Sequence, residues 1–377
     1  MSDTGETAAG ASIGLSRAGA PAALPDAFPI AGAAELLEVH FFMRLAREWD
    51  LRFERMARIG SVSKWYSSVG NEAITVCAAT AIEAGDAVVT LHRDSGAILR
   101  HYVDPARLFP DLFQPSRKRK PPRSEPRELL HRLACQVLGK ADGFSGGIER
   151  SYHYSHVDEA AGILHVGMIS HLGAMIPVAA GLGLGLVQRG TDRVALNFIG
   201  EGGTSTGDFH EALNMAAVMK LPLILIIENN GYAFSTPARE QYASRTLAER
   251  GPAYGIPGVR VDGADALGML REAGTAVRRA REGGGPTLIE AVTGRMRGHS
   301  EGDDSFLLVP AEERSRHERL DPLLSFERML VEKGIAGPER LEEAARRSRE
   351  LMIEVADRAL ASPDPDPAAS RRGVHAG

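Results

Sequence analysis

The chain has 377 residues, enough to bury one large core or two modest ones. Its apolar fraction of 44% and charged fraction of 25% are ordinary for a globular protein, and a net charge of −5 offers neither nucleic acid nor an anionic membrane a complementary surface. Two cysteines, Cys77 and Cys135, lack metal-ligand spacing between them and read as buried thiols of a reducing cytoplasm. No apolar run reaches membrane length. The N-terminus holds Asp3, Glu6 and a single arginine, Arg17, so it reads as neither a signal peptide nor a transit peptide, and a bacterial cytoplasmic protein is expected.

In chain order, residues 1–27 are Ala, Gly, Ser and Pro with few large apolar groups; they cannot offset their ordering entropy and are expected to be disordered. From Ala33 to Ile59, Leu36, Phe41, Leu45, Trp49, Phe53 and Met56 recur at helical spacing, which predicts an amphipathic helix with its aromatic residues in the core. Gly70-Asn71-Glu72-Ala73 opens a second helix. Val88 to Leu91 reads as a strand running into the polar loop His92-Arg93-Asp94-Ser95-Gly96. Residues 108–128, with several prolines and the run Arg117-Lys118-Arg119-Lys120, read as an exposed insertion. A glycine-rich loop from Gly143 to Gly147 leads to His153, a residue type whose pKa near neutral suits proton relay. Ser170 and Leu172 follow in a loop, and Ile176–Val187 reads as a small-residue helix packed behind a sheet.

The central stretch runs from Val194 to Thr236. A short apolar run ends in Gly200-Glu201-Gly202-Gly203, a helical run follows from Asp208 to Lys220, and a second apolar run, Leu221–Ile227, ends in Glu228-Asn229-Asn230-Gly231-Tyr232. Two buried parallel strands joined by a crossover helix bring both strand ends to one edge of the sheet, so Glu201 and Asn230 are expected to lie close together there. Glycines after a strand let the backbone approach a phosphate, and the carboxylate and amide oxygens are hard donors suited to magnesium or calcium. The dinucleotide fingerprint fails, because Ser205 stands where its third glycine belongs. Farther on come a helix over Leu267–Arg281, a strand over Thr287–Thr293, a loop carrying Arg295 and His299, and a charged helix over Pro338–Leu360. Residues 28–361 are expected to form one α/β domain, a doubly wound, mainly parallel sheet flanked by helices, and residues 362–377 a disordered tail.

Gly200-Glu201-Gly202, followed after residues 203–228 by Asn229-Asn230, resembles the thiamine diphosphate fingerprint. The stretches Gly207–Ala217 and Asn229–Pro237, with Arg295-Met296-Arg297-Gly298-His299-Ser300, are similar to the alpha subunit of the thiamine-dependent 2-oxo acid dehydrogenases of pyruvate, branched-chain and acetoin types. The resemblance covers roughly residues 33–355. It implies the thiamine diphosphate-binding fold, with Mg2+ held by Glu201, the Asn230 side chain and the Tyr232 carbonyl, and with Gly200, Gly202, Gly203 and Arg93 at the diphosphate. His92 departs from the family's tyrosine beside that arginine. Ser170 and Leu172 match a loop whose leucine bends the cofactor; His171, Ala174 and Met175 depart from it, and the potassium ion of that loop is not carried over. His153 matches a histidine lining the cavity where substrate and lipoyl arm meet. His299 matches the histidine beside the cofactor's reactive carbon, which makes it the acid/base candidate, with Arg295 supporting the diphosphate or the loop.

The activity implied is decarboxylation of a 2-oxo acid and acyl transfer to the lipoyl group of an acyltransferase component. Glu201 in place of Asp, and Asp303-Asp304-Ser305, tilt the substrate slightly towards a branched-chain 2-oxo acid over pyruvate. The glutamate that activates the cofactor comes, in the family, from a separate beta subunit. A heterotetramer of two alpha and two beta chains is therefore expected, with no activity from this chain alone. An acetoin-type or transketolase-like half-chain and a non-catalytic paralogue are the alternatives; retention of Glu201, Asn230 and His299 argues against the last.

Overall fold

The computed structural model describes residues 32–114, 125–303 and 309–368. The expectations placed on residues 1–27, on the middle of the 108–128 segment, on Asp304 and Ser305, and on the tail beyond residue 368 lie outside the described residues.

Nine strands are present among the described residues: β1 Ala87–Val89, β2 Ser155–Asp158, β3 Ile163–Val166, β4 Ala195–Gly200, β5 Leu223–Asn229, β6 Tyr232–Ala233, β7 Thr236–Pro237, β8 Gly258–Asp262 and β9 Thr287–Val292. Seven form one sheet in the order β2-β3-β1-β4-β5-β9-β8, parallel throughout except for β2 at the edge. β6 and β7 make a small antiparallel ribbon. β4 and β5 are apolar on both faces because helices cover both. Ala87, Val89, Ala195 and Leu223 pack on Met175, Ala179 and Ala180 of the helix Met175–Gln188. Val88, Leu196 and Ile224 face the larger core, which takes Phe41 from the helix Ala33–Arg58, Ile74 from Glu72–Ala81 and Met269 from Ala266–Arg281. The sheet is the mainly parallel α/β architecture expected from the sequence.

Three local expectations need correction. The start of the 108–128 segment is not wholly exposed: Pro110, Asp111 and Gln114 face solvent, but Leu108, Phe109 and Phe113 are buried, the two phenylalanine rings 5.8 and 5.0 Å from that of Phe41. The charge run that follows masked two aromatic core residues. From Pro126 the same segment is already helix, Pro126–Leu138. Residues 362–368 do not hang free; Ala141 N donates to Pro363 O at 2.9 Å and Lys140 Nζ to Asp364 at 2.8 Å. And β5 starts at Leu223 rather than Leu221, since Pro222 has no N–H to give a ladder.

Candidate active site

Five neighbouring parallel strands end at one edge, and each delivers site residues just beyond its carboxyl end. β1 leads to His92 and Arg93, β3 to Ser170 and Leu172, β4 to Gly200–Gly203, β5 to Asn230 and Tyr232, and β9 to Arg295 and His299. β2, running the other way, starts at the same edge, and His153 precedes it. Ligands bind at this edge in open α/β sheets because the loops there diverge and leave a crevice.

Glu201 opens a tight helical turn, Glu201–Ser205, which leads into the helix Gly207–Val218. Its carboxylate is fully buried. Oε2 accepts from Asn230 N at 3.3 Å and Oε1 from Gln241 Nε2 at 3.4 Å. Burial pushes its pKa up, against the pull of those donors and of Arg295. Asn230 Oδ1 accepts from Tyr232 N at 3.2 Å, closing a tight turn just before the Tyr232 carbonyl. That carbonyl accepts from the Arg295 guanidinium, which also donates to Phe234 O at 2.5 Å. Glu201, Asn230, Tyr232 and Arg295 are thus brought together as expected. Asn229 points elsewhere, donating to Tyr242 Oη at 2.9 Å and Glu290 Oε1 at 2.7 Å, and so fastens the loop to β9.

The glycines differ in what surrounds them. A Cβ at Gly202 would lie 2.4 Å from the Ala233 Cβ on β6, while one at Gly200 would meet nothing within 4 Å. Gly200 has φ −72, which any residue adopts. A Gly202→Ala variant is therefore expected to lose about 1–3 kcal/mol of stability by prying β6 from the turn. Gly200→Ala should keep its unfolding midpoint yet bind ligand more weakly, because its methyl group enters the open crevice. Thermal unfolding paired with cofactor titration of both variants separates the two effects; equal midpoints would mean that the ribbon yields freely.

His299 is half-buried among Phe234, Tyr66 and His92, with ring centroids 4.7, 5.3 and 6.3 Å away. Burial first, then the charges of Arg93 and Arg295, lower its pKa to about 4, so it is neutral at pH 7. Its Nδ1 is buried without a hydrogen-bond partner. Burial also drives His92 well below the ordinary range. Phe234 holds a positive φ of 53, a strained conformation for an aromatic residue, and its carbonyl is one of the two held by Arg295. Arg93, expected at a diphosphate, is buried and donates to the carbonyls of Ser67 and, at 2.6 Å, His299. It thereby fixes the loop that carries His299. His153 Nε2 lies 3.1 Å from Ser170 Oγ, which joins the β2 and β3 ends of the crevice. Leu172 is exposed beside Gly203.

Beneath Arg93 lie two buried carboxyls, Asp94 and Glu228, that face one another. Burial pushes Asp94 up to about 6 and Glu228 well above the carboxylate range; the Asp94 charge raises Glu228 further, while the hydrogen bond with Glu228 pulls Asp94 back down. Asn71 Nδ2 donates to Glu228 Oε1 at 2.8 Å, and Asp94 Oδ1 has no other donor. A single proton held on Glu228 satisfies Asp94 and leaves one negative charge to match Arg93. Raised acid pKa values mean that the folded state binds more protons than the unfolded one above the ordinary carboxylate range. The stability they lend is complete below about pH 4 and is lost as pH rises through the folded values. Glu228→Gln keeps the bond from Asn71 and can donate to Asp94. It is expected to gain about 1–3 kcal/mol on the wild type between about pH 5 and 8. Denaturant unfolding at stepped pH reads this directly, and parallel curves would sink the shared-proton account.

Sequence reasoning missed Tyr66, Phe234, Gln241 and the Asp94–Glu228 pair. Tyr66 rides on a loop held by Asp50, whose carboxylate accepts from Ser67 Oγ at 2.7 Å and Ser68 Oγ at 2.6 Å. One signal was present: Glu228 is a carboxylate closing a buried apolar strand, where a charge needs a partner.

These features define an α/β enzyme whose ligand crevice crosses the carboxyl ends of five parallel strands. The family model for the dehydrogenase E1 component matches residues 39–368. The chain is 32% identical over 333 residues to the alpha subunit of acetoin:2,6-dichlorophenolindophenol oxidoreductase of Cupriavidus necator, covering 88% of this chain and 91% of that one. It is 32% identical over 316 residues to the pyruvate dehydrogenase E1 component subunit alpha of Staphylococcus aureus, covering 84% and 74%. With the same subunit of Rhizobium meliloti it shares 29% over 335 residues, covering 88% and 87%. The chain belongs to the dehydrogenase E1 component family, as an alpha subunit of the thiamine diphosphate-dependent, pyruvate and acetoin dehydrogenase type.

Proposed function

We propose that the chain is the alpha half of a cytoplasmic heterotetramer of two alpha and two beta chains that decarboxylates a 2-oxo acid and passes the acyl group to a lipoyl arm of an acyltransferase component. The observation that carries it is the fully buried Glu201 carboxylate, with Asn230 and Tyr232 beside it and neutral His299 across the same crevice. No helix among the described residues is long and apolar enough to cross a membrane.

The residues present fit thiamine diphosphate and Mg2+. His299 Nδ1, Gln241 Oε1 and Arg295 Nε are buried without partners, and open space lies above Gly200. Glu201, Asn230 Oδ1 and the Tyr232 carbonyl are all hard oxygens that would hold Mg2+. A carbonyl oxygen has two lone pairs, so the guanidinium of Arg295 leaves one on Tyr232 free. Gly200, Gly202 and Gly203 would take the diphosphate, with Leu172, Ser170 and His92 flanking the thiamine. When bound, thiamine diphosphate supplies the electron sink that lets carbon dioxide leave a 2-oxo acid. His299, uncharged at neutral pH, is able to accept or donate a proton at its free nitrogen. Arg93 holds it in register through its backbone carbonyl, and the Phe234 and Tyr66 rings pack against it. His153, backed by Ser170, offers a second proton carrier at the crevice mouth.

The beta partner finds support in uncovered apolar surface. Ile169, Leu172 and Phe234 are exposed around the crevice, and Val187, Met215, Val218 and Met219 on two packed helices. Gly181 and Gly185 leave open space on the first of these helices, so a second chain can approach its backbone. We place a branched-chain 2-oxo acid slightly ahead of pyruvate. A second reading, an acetoin dehydrogenase alpha subunit, is favoured by the Cupriavidus necator relative, which aligns over 91% of its length. The test is co-expression with the neighbouring beta-type chain and assay with an artificial electron acceptor, thiamine diphosphate and Mg2+, on 3-methyl-2-oxobutanoate, pyruvate and acetoin. The ratio of rates assigns the substrate, and lipoamide as acceptor tests acyl transfer. A well-folded complex with no turnover and no cofactor binding would leave a non-catalytic paralogue.

A further inference from the structure

The helix Pro126–Leu138 carries His131 and Cys135 one turn apart, and Asp142 follows in the next loop. One ligand atom from each of these three residues lies within 4.8 Å of the other two. Ser362, from the C-terminal segment, completes the group. We propose that His131, Cys135, Asp142 and Ser362 form a structural zinc site that ties the C-terminal segment to this helix.

Four donor-to-donor distances carry the proposal. His131 Nε2 lies 3.6 Å from Cys135 Sγ, 3.6 Å from Asp142 Oδ2 and 3.4 Å from Ser362 Oγ, and Sγ lies 3.5 Å from that hydroxyl. Four ligands placed tetrahedrally around zinc, at its usual bond lengths, stand about 3.3–3.8 Å apart along each edge. The donor set is one imidazole, one thiol, one carboxylate and one hydroxyl, the last replaceable by water. Sulfur and imidazole select zinc over the hard cation that the oxygens around Glu201 suit. A thiolate and a carboxylate together balance a divalent charge; the thiol proton leaves to solvent on binding. His131 and Cys135 are buried, at 3% and 0% exposure, while the Asp142 side chain is 49% exposed and provides the way in. The segment is already laid in place by the Ala141–Pro363 and Lys140–Asp364 bonds, so the ion would complete a clamp rather than build one. Spacing between the two cysteines could not reveal this site, because the partners of Cys135 are a histidine and an aspartate.

The test uses the full chain, stripped with a chelator and titrated with Co2+ and then Zn2+ by absorption spectroscopy. One cobalt per chain should bring a sulfur-to-metal charge-transfer band and the intense visible bands of tetrahedral cobalt, both erased by one equivalent of zinc. Zinc should also raise the unfolding midpoint by several degrees. Cys135→Ser should lose the charge-transfer band, and Glu201→Gln should retain it, which distinguishes this site from the crevice. Should Cys135→Ser not fold, Asp142→Asn at the exposed ligand is expected to weaken cobalt affinity at least about tenfold. No charge-transfer band in the wild type, a band surviving in Cys135→Ser, or unchanged affinity in Asp142→Asn would each overturn the proposal.

Discussion

A Glu201→Gln variant is expected to fold at least as well as the wild type and to lose nearly all Mg2+-dependent thiamine diphosphate binding. The stability half follows from burial. The carboxylate is fully enclosed, and burial raises its pKa, so its charge is a cost to the folded state in the absence of a cation. Glutamine keeps the volume and keeps an oxygen for Asn230 N. Its new NH2 meets Gln241, whose Oε1 is buried without a partner and can accept from it once that amide turns. The variant thus removes a charge and repairs an orphan. Its unfolding midpoint should hold or rise.

The binding half follows from charge. An amide oxygen next to a divalent ion gives up the ionic part of the attraction in a water-poor site, where that part is largest. Loss of a hydrogen-bonding partner one layer out from a metal costs about 10–100-fold in affinity, and loss of a direct anionic ligand costs more. We expect Mg2+-dependent cofactor affinity to fall at least about 100-fold, and decarboxylation by the complex with the beta chain at least as far. Isothermal titration with thiamine diphosphate, with and without Mg2+, reads the first, and the acceptor assay reads the second. Unchanged affinity would remove Glu201 from the metal site. Lost affinity with a collapsed midpoint would instead make it a framework residue.

Much of the frame was legible for a simple reason. Val194–Ile199 and Leu223–Ile227 are largely apolar runs, the first closed by Gly200 and the second by Glu228-Asn229, and a buried parallel strand has little other way to read. Their pairing through a crossover helix then forces Glu201 beside Asn230, as found at 3.3 Å. What stayed hidden depends on meetings between distant polar side chains. Nothing in the pattern around Arg93 says that its guanidinium turns to the carbonyls of Ser67 and His299. Nothing around Asp94 names Glu228 as its neighbour. Periodicity reports which face a residue occupies, and a charged residue on a buried face can meet a ligand or another residue equally well. Phe109 and Phe113 were lost for the opposite reason: they stand beside a basic, proline-rich run, and the run governed the reading of the whole segment.

The largest loss of stability is expected at Arg47. Its Nε donates to Glu72 Oε1 at 2.5 Å, and its two terminal nitrogens grip both oxygens of Asp321 at 2.9 and 3.0 Å. Burial works against the charge, but Glu72 and Asp321 outweigh it and hold the pKa above its already high ordinary value. Three helices meet at this point. Arg47 belongs to Ala33–Arg58, Glu72 opens Glu72–Ala81, and Asp321 caps Pro322–Glu332 by accepting from Leu323 N at 2.9 Å. Arg47→Met keeps most of the volume and leaves two enclosed carboxylates without a cation, which costs about 3–5 kcal/mol. Arg47→Lys keeps the charge but cannot grip two carboxylates at once, and should lose less. The sign with pH is definite. The folded pKa of Asp321 is depressed by Arg47, against the effect of burial, so the pairing stabilises above the ordinary carboxylate range and is lost as pH falls through the folded value. The gap between wild type and Arg47→Met is therefore widest near neutral pH and closes in acid. Urea unfolding across that range measures it, and a gap constant with pH would show that the loss is packing alone. Because Glu72 Oε2 also accepts from Gly70 N at 2.8 Å, and Asn71 is the donor to Glu228, the same substitution should loosen the floor under Arg93 and slow catalysis from a distance.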